Sequence, residues 1–473
     1  MKRISLKNII FILCISLFTS FSYGQAELKL KKGVVIDSLL VPDTEGVYSI
    51  YLPKAFDLNK SWPILFGFDS KGNMNTLTSL FQKAAEDFGY IVVVSNYGNK
   101  LSESDKSSYI PVFVKHIISL FPIQEKRMYA LGVGDDAPLN TSLPLFYKQF
   151  SGVIAIDNSF DYHQKLRRNK NFAYFGIVST HNFRYQDFLI SNKYLDRKGI
   201  SSSLYTYEGD IALPSQKIIH KALPFFTLDA MEKGNIPKDS LWIKMRYEKD
   251  KENILELKEK REYLEAFDEL TRMQKRFQAF VAIDELKNEQ KEIKKIKAYK
   301  TEKRIKSRNK NKEVYLRESL VFALEEDIAL NEYNNLGWWQ YKMEEFDMIS
   351  NSKEPYTTAM VVRIRGFLKN IVANYKKELS KSKKEIDRKI FLNVLSTIID
   401  KDDFDSYKNI IALSAIDQDT ETALFYLEKM LQQGYKEMDA LYTIEGTLSL
   451  RISKEYNNII KKYLGTSKFF TSN

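Results

Sequence analysis

The chain has 473 residues, 44% hydrophobic and 28% charged, which excludes a disordered or collagen-like polymer and leaves room for two domains. The formal net charge is +11, and Cys14 is the only cysteine. A mature chain without Cys14 has no disulfide, no cysteine zinc site and no thiol nucleophile.

Residues 1–24 carry Lys2, Arg3 and Lys7, then an apolar run from Ile9 to Phe18, then small residues ending in Ser22-Tyr23-Gly24. This pattern predicts a cleaved secretory signal peptide, with the cut between Gly24 and Gln25 and no transmembrane helix afterwards. The expected location is therefore the periplasm, the cell envelope or the medium. Positive charge is densest in "KKIKAYKTEKRIKSRNKNK" (294–312). No nucleic-acid fold motif accompanies it, so it reads as a solvated helix face and no nucleic-acid partner is expected.

From residue 33 to 230 short apolar runs alternate with amphipathic stretches. "GVVIDSLLV" (33–41) and "VYSIYLP" (47–53) read as paired strands around a turn at Asp43–Gly46. "WPILFGFD" (62–69) and "YIVVVSN" (90–96) read as buried strands, with a helix "LTSLFQKAAEDFG" (77–89) between them that stops at Gly89. "IPVFVKHIISLF" (110–121) predicts a helix with Pro111 in its first turn. "RMYALGV" (127–133), "GVIAIDN" (152–158), "FAYFGIVST" (172–180) and "SSLYTYE" (202–208) are further strands, and "YQDFLISNKYLDRKG" (185–199) and "SQKIIHKALPFFTLDAM" (215–231) are helices. Continuous apolar strands separated by helices predict a mostly parallel sheet covered on both faces, an α/β fold.

From about Pro237 strand signals vanish and helical spacing takes over. Leu264, Phe267, Leu270 and Met273 share one face of a helix over 261–280. "TETALFYLEKMLQQGY" (420–435) and "MDALYTIEGTLSLR" (438–451) predict another helix pair. "YNNLGWWQYKMEEF" (333–346) places Trp338 and Trp339 about 100° apart on a helix capped by Asn334 or Asn335. Packing inside the helical array or between domains is the expected role of these rings. The predicted organisation is a signal peptide at 1–24, an α/β domain at 25–232 and an all-α antiparallel domain at 233–473.

Four segments of the first half occur in the order of an α/β-hydrolase: "YLPKAFDLNKSWPILFGFDSKG" (51–72), "RMYALGVGDDAPLN" (127–140), "FGIVSTHNFRYQDF" (175–188) and "LYTYEGDIALPSQKIIHKALPFF" (204–226). On these residues the half chain resembles the α/β-hydrolase family, in its secreted esterase and depolymerase-like branch. The resemblance implies that they hold the oxyanion loop, the nucleophile elbow, the acid turn and the histidine loop. It places the nucleophile at Gly134, the acid at Asn182 and the histidine at Ile211, and no histidine occurs between Asn182 and Ile219. Glycine cannot attack, asparagine does not stabilise an imidazolium, and isoleucine moves no proton. The tail 423–465 resembles the closing segment of tetratricopeptide arrays, which implies a protein or peptide partner on the helical half.

A displaced catalytic set is the competing expectation. Moving the elbow frame by one residue makes Asp135 central, and a carboxylate can form an ester intermediate. Asp135 or Asp136 can equally cap the helix that starts near Pro138. His181 adjoins the acid position at the carboxyl edge of the sheet, where ligand sites of α/β folds lie. His116 and His220 fall in flanking helices and His163 in a polar segment. Ser70, Ser95 and Ser179 follow strands without a histidine at relay spacing. Asp69, Asp135 and Asp136 are too few to define a metal site. No cofactor and no metal are expected. The sequence thus predicts an exported, non-catalytic hydrolase-like protein that binds or scaffolds, with room for a small ligand in the old pocket. An ester hydrolase with a non-standard set is the alternative.

Overall fold

The structure is a computed structural model, and it describes residues 31–97, 103–160, 171–209, 213–330, 333–380 and 385–469. The expected signal peptide, Cys14, His163 and Ile211 lie outside these residues.

The strands are β1 (Val35–Leu40), β2 (Val47–Tyr51), β3 (Trp62–Asp69), β4 (Ile91–Asn96), β5 (Ile123–Val133), β6 (Phe150–Ile156), β7 (Ala173–Ser179) and β8 (Ser201–Tyr207). They form one sheet in the order β1-β2-β4-β3-β5-β6-β7-β8. β2 pairs antiparallel with both β1 and β4, whereas β3–β4, β6–β7 and β7–β8 are parallel. The described residues divide into two compact units, one up to Ala130 and one from Leu131 onward.

In the first unit Ile64, Leu65 and Phe66 of β3 and Val92, Val93 and Val94 of β4 are fully buried. Such runs have no polar face because parallel strands are covered on both sides. Helix α1 (Met74–Phe88) buries Leu77, Phe81, Ala84 and Ala85 and stops at Gly89, whose φ of 68° is the left-handed conformation that ends a helix. Helix α2 spans Glu103–Leu120, so Pro111 lies inside it and not in its first turn. The polar stretch before Tyr109 has no apolar periodicity, which hid the start of this helix. Pro111 brings no N–H and leaves one carbonyl of the preceding turn without its intrahelical donor.

The second unit holds β6, β7 and β8 with α3 (Ala137–Phe146), α4 (Tyr185–Arg197) and α5 (Gln216–Glu232). Every described element after Glu232 is helical. These are α6 (Ser240–Glu259), α7 (Tyr263–Phe277), α8 (Asp284–Lys295), α9 (Lys297–Leu330), α10 (Leu336–Ser350), α11 (Pro355–Leu379), α12 (Ile386–Ile399), α13 (Phe404–Ile416), α14 (Thr420–Gln432), the single turns α15 (Met438–Leu441) and α16 (Leu448–Arg451), and α17 (Lys454–Leu464). Polar residues fix several starts. Asp239, Glu354, Asp403, Asp419 and Ser453 each accept an N–H of the first turn that would otherwise be unpaired.

Leu264, Leu270 and Met273 are buried as their spacing predicts, and Phe267 packs half-buried beside them. Trp339 is fully buried and donates from Nε1 to Asp327 Oδ2 at 2.7 Å, while Trp338 packs edge-on against it in the same cluster. Both rings therefore serve the helical core. Asn335 precedes α10 but forms no cap hydrogen bond; its amide donates to Asp327 instead. The helix predicted over 438–451 is two separate turns. Gly446 between them has φ 75°, and a Cβ there would stand 2.7 Å from Ile416 Cγ1. Among the described residues no helix is long and apolar enough to cross a membrane.

Candidate functional site

Strand β5 ends at Val133, makes one 3-10 turn over Gly134–Asp136 and enters α3 at Ala137. The turn is tight because its flanks are small. A Cβ on Gly132 would lie 2.6 Å from Ala137 Cα, so no side chain fits there without moving backbone. Gly134 has φ 53°, and a Cβ built on it meets nothing within 4 Å. The turn thus offers one position whose side chain would project into open space, and its residue has no side chain. Asp136 stands at the N-cap position of α3 but makes no cap bond. Its backbone is already helical (φ −83°, ψ −12°), whereas a capping side chain needs the extended conformation. Asp136 therefore forms no cap bond to α3, and Asp135 lies inside the 3-10 turn that precedes this helix.

Asn182 follows β7 in a turn that consumes its side chain. Its Oδ1 accepts the Arg184 N–H at 2.8 Å, and its Nδ2 donates to the Asp157 carbonyl at 3.1 Å. Both ends of the amide hold backbone, so the residue shapes the loop that leads into α4. The carboxylate residue bonded to this turn is Asp157, which stands in the apolar segment "GVIAIDN" (152–158). It follows β6 with φ 59°; Oδ1 accepts the Ser179 N–H at 3.0 Å and Oδ2 accepts the Tyr207 hydroxyl at 2.7 Å. Burial pushes the Asp157 carboxyl up, against the opposing effect of these donors. Burial and the neighbouring Asp157 charge push the Tyr207 phenol up as well. One carboxylate thus ties together the carboxyl ends of β6, β7 and β8. The signal for it was an aspartate ending an apolar strand, "GVIAID".

The helices grip this same loop. Glu313 of α9 is fully buried and accepts from Arg363 Nη2 at 2.6 Å, Arg317 Nη2 at 2.6 Å and Gln186 Nε2 at 3.0 Å. Arg363 also donates to the Thr180 carbonyl at 2.5 Å, and Arg317 to the Phe183 carbonyl at 2.7 Å. A second buried network joins α5, α6 and α7 to β8. Lys221 meets Asp250 at 2.9 Å and Glu269 at 3.2 Å; Arg276 meets Asp250 at 2.6 Å and donates to the Tyr205 hydroxyl at 2.8 Å. Buried charges survive only when paired in this way.

The gripped loop forms one wall of a cleft of about 520 Å³, into which His181, Asn182 and Phe183 enter. Arg365 and Lys369 of α11 and Asp400 and Lys401 after α12 form the opposite side. His181 is half-buried, and its N–H donates to Ser179 Oγ at 3.1 Å.

The remaining candidates have structural engagements. Ser95 Oγ bonds the Val47 carbonyl and the Tyr109 hydroxyl, and Ser179 Oγ donates to the Gly209 carbonyl. His116 packs edge-on to Tyr48, where burial pulls its pKa down, and His220 bonds the Gln216 carbonyl one turn back. Among the described residues no group of three or more His, Cys, Asp or Glu side chains is placed to hold a metal.

No family model and no curated protein matches the sequence. Among solved structures the chain is similar to a thermostable esterase, at 13% identity over 38% of this chain and 55% of that one, TM-score 0.30. It thus spans about half the length of that esterase. It is also similar to a ferulic acid esterase, at 14% identity over 41% of this chain and 97% of that one, TM-score 0.34. A third likeness is to the S-formylglutathione hydrolase of Staphylococcus aureus, at 12% identity over 41% and 98%, TM-score 0.34. The α/β fold itself stands on the strand order and pairing of this chain.

Proposed function

We propose that this chain is an α/β-hydrolase-like protein without hydrolytic activity that binds or scaffolds in the cell envelope after export. Residues 25–232 supply the hydrolase-like part and 233–473 the helical part. One observation carries the reading. The turn after β5 presents Gly134 in the left-handed conformation with open space beyond it, where a nucleophile would need a side chain. The committed hydrogen bonds of Asn182 agree with this, since a triad acid must hold a histidine and not its own loop. The helical half supplies a surface for a protein or peptide partner, and the pocket at the sheet edge takes a small ligand.

A second reading retains hydrolysis with Asp135 as nucleophile, because Asp135 lies in the same turn. The two readings part on a covalent trap. A fluorophosphonate phosphonylates any serine that a base activates, so intact mass of residues 25–473 after incubation should show no adduct. An adduct on any serine would refute the non-catalytic reading. Ester turnover by the native chain beside Asp135→Ala tests Asp135.

A further inference from the structure

We propose that the cleft beside the Asn182 turn is a binding site for a small organic anion with an apolar body. This rests on the binding reading above and gives that ligand a chemical class. The cleft's volume, about 520 Å³, lies within the range of small-molecule sites, about 300–1,000 Å³. It opens at the carboxyl edge of the parallel strands, beside the end of β7.

Its walls are held in place before any ligand arrives. The loop 180–183 is fixed from below by Arg363 on the Thr180 carbonyl and Arg317 on the Phe183 carbonyl, both anchored on Glu313. On the other side Gly366 lets α11 approach this loop, since a Cβ there would come within 3.3 Å of Phe183 Cβ. Arg365 is immobilised by the Met343 carbonyl at 2.7 Å and Asp347 at 2.5 Å. A ligand therefore meets a preorganised wall and spends little on ordering it.

Charge selects the ligand's sign. The cleft is lined by three basic side chains, Arg365, Lys369 and Lys401, and two acidic ones, Asp347 and Asp400. Both carboxylates are already neutralised, Asp347 by Arg365 and Asp400 by Lys369 at 2.6 Å. Lys401 is exposed and has no ion-pair partner among the described residues. Lys369 keeps 48% of its side chain accessible. The uncompensated charge is positive, so an anionic oxygen gains where a cation would be repelled. Phe183 and Val362, both half-buried, supply the apolar wall for the rest of the molecule. A carboxylate and a phosphate monoester share this chemistry.

The test is calorimetric titration of residues 25–473 with benzoate, phenyl phosphate and the neutral benzamide. Benzoate or phenyl phosphate should bind at least about tenfold more tightly than benzamide, and the anion that binds names the source. Lys401→Ala and Lys369→Ala should each weaken that anion by about fivefold, the worth of one ion contact in a water-like medium. Far-UV circular dichroism of each variant verifies the fold. Binding of benzamide equal to that of both anions would overturn the proposal, as would unchanged anion affinity in the folded double variant. Ester turnover would sink the non-catalytic reading and leave this binding result intact, so the two failures are distinct.

Discussion

Removing the Glu313 carboxylate should release the loop at residues 180–186 from the helices. Glu313→Ala deletes the acceptor of Arg363, Arg317 and Gln186 and leaves two guanidiniums, with side chains 6% and 12% exposed, without their carboxylate. Breaking a buried ion pair from one side costs about 3–5 kcal/mol, because the remaining charge stays buried. Each arginine keeps one carbonyl, Thr180 or Phe183, and one aromatic face, Tyr185 or Phe367. These residual partners place the expected loss at the lower end, about 3 kcal/mol, or about a hundredfold in the local opening constant. Hydrogen exchange with mass spectrometry reads that constant segment by segment, which suits a chain of two units better than one global unfolding curve. Peptides covering 179–188 and 355–370 should lose protection together, while those covering β3 and β4 keep theirs. A change below about 1 kcal/mol, or equal loss everywhere, would refute the argument that Glu313 is the anchor.

Gly132→Ala forces a Cβ to within 2.6 Å of Ala137 Cα and should destabilise by about 1–3 kcal/mol in hydrogen exchange of peptides covering β5 and α3, whereas Gly134→Ala meets no atom and carries only the left-handed cost of about 1–2 kcal/mol. Glu269 sits in the β8 network, where burial opposes ionisation but Arg272, Lys221 and Arg276 outweigh it and hold the carboxyl well below its usual range. A lowered folded pKa contributes stability above the unfolded value of about 4.3 and loses it as pH falls below that. Protection of α7 should therefore drop in acid in the native chain, and Glu269→Gln should be weaker at neutral pH but flatter below about pH 4.3; parallel pH profiles for the two proteins would contradict this.

The strands were legible because buried β-strands write themselves as apolar runs: "YIVVVSN" and "WPILFGFD" mark β4 and β3 to within a residue. Gly132 and Gly134 were legible as a turn, since one position needs a small residue and the other tolerates a positive φ. The start of α2 and the break at Gly446 were not, because neither changes the local apolar pattern. The networks around Glu313 and Glu269 were invisible for a different reason. Glu313 and Arg363 are 50 residues apart, and a buried glutamate looks in sequence like any surface glutamate. The Asp157–Tyr207 bond hid in the same way, spanning 50 residues across three strands.

Turnover is the most direct test of the central claim. Purified residues 25–473 would be assayed on short-chain nitrophenyl esters beside Asp135→Ala and His181→Ala. All three proteins should show the same rate, equal to the uncatalysed rate in buffer. Turnover by the native chain that disappears with Asp135→Ala would contradict that claim and make the carboxylate beside Gly134 a nucleophile.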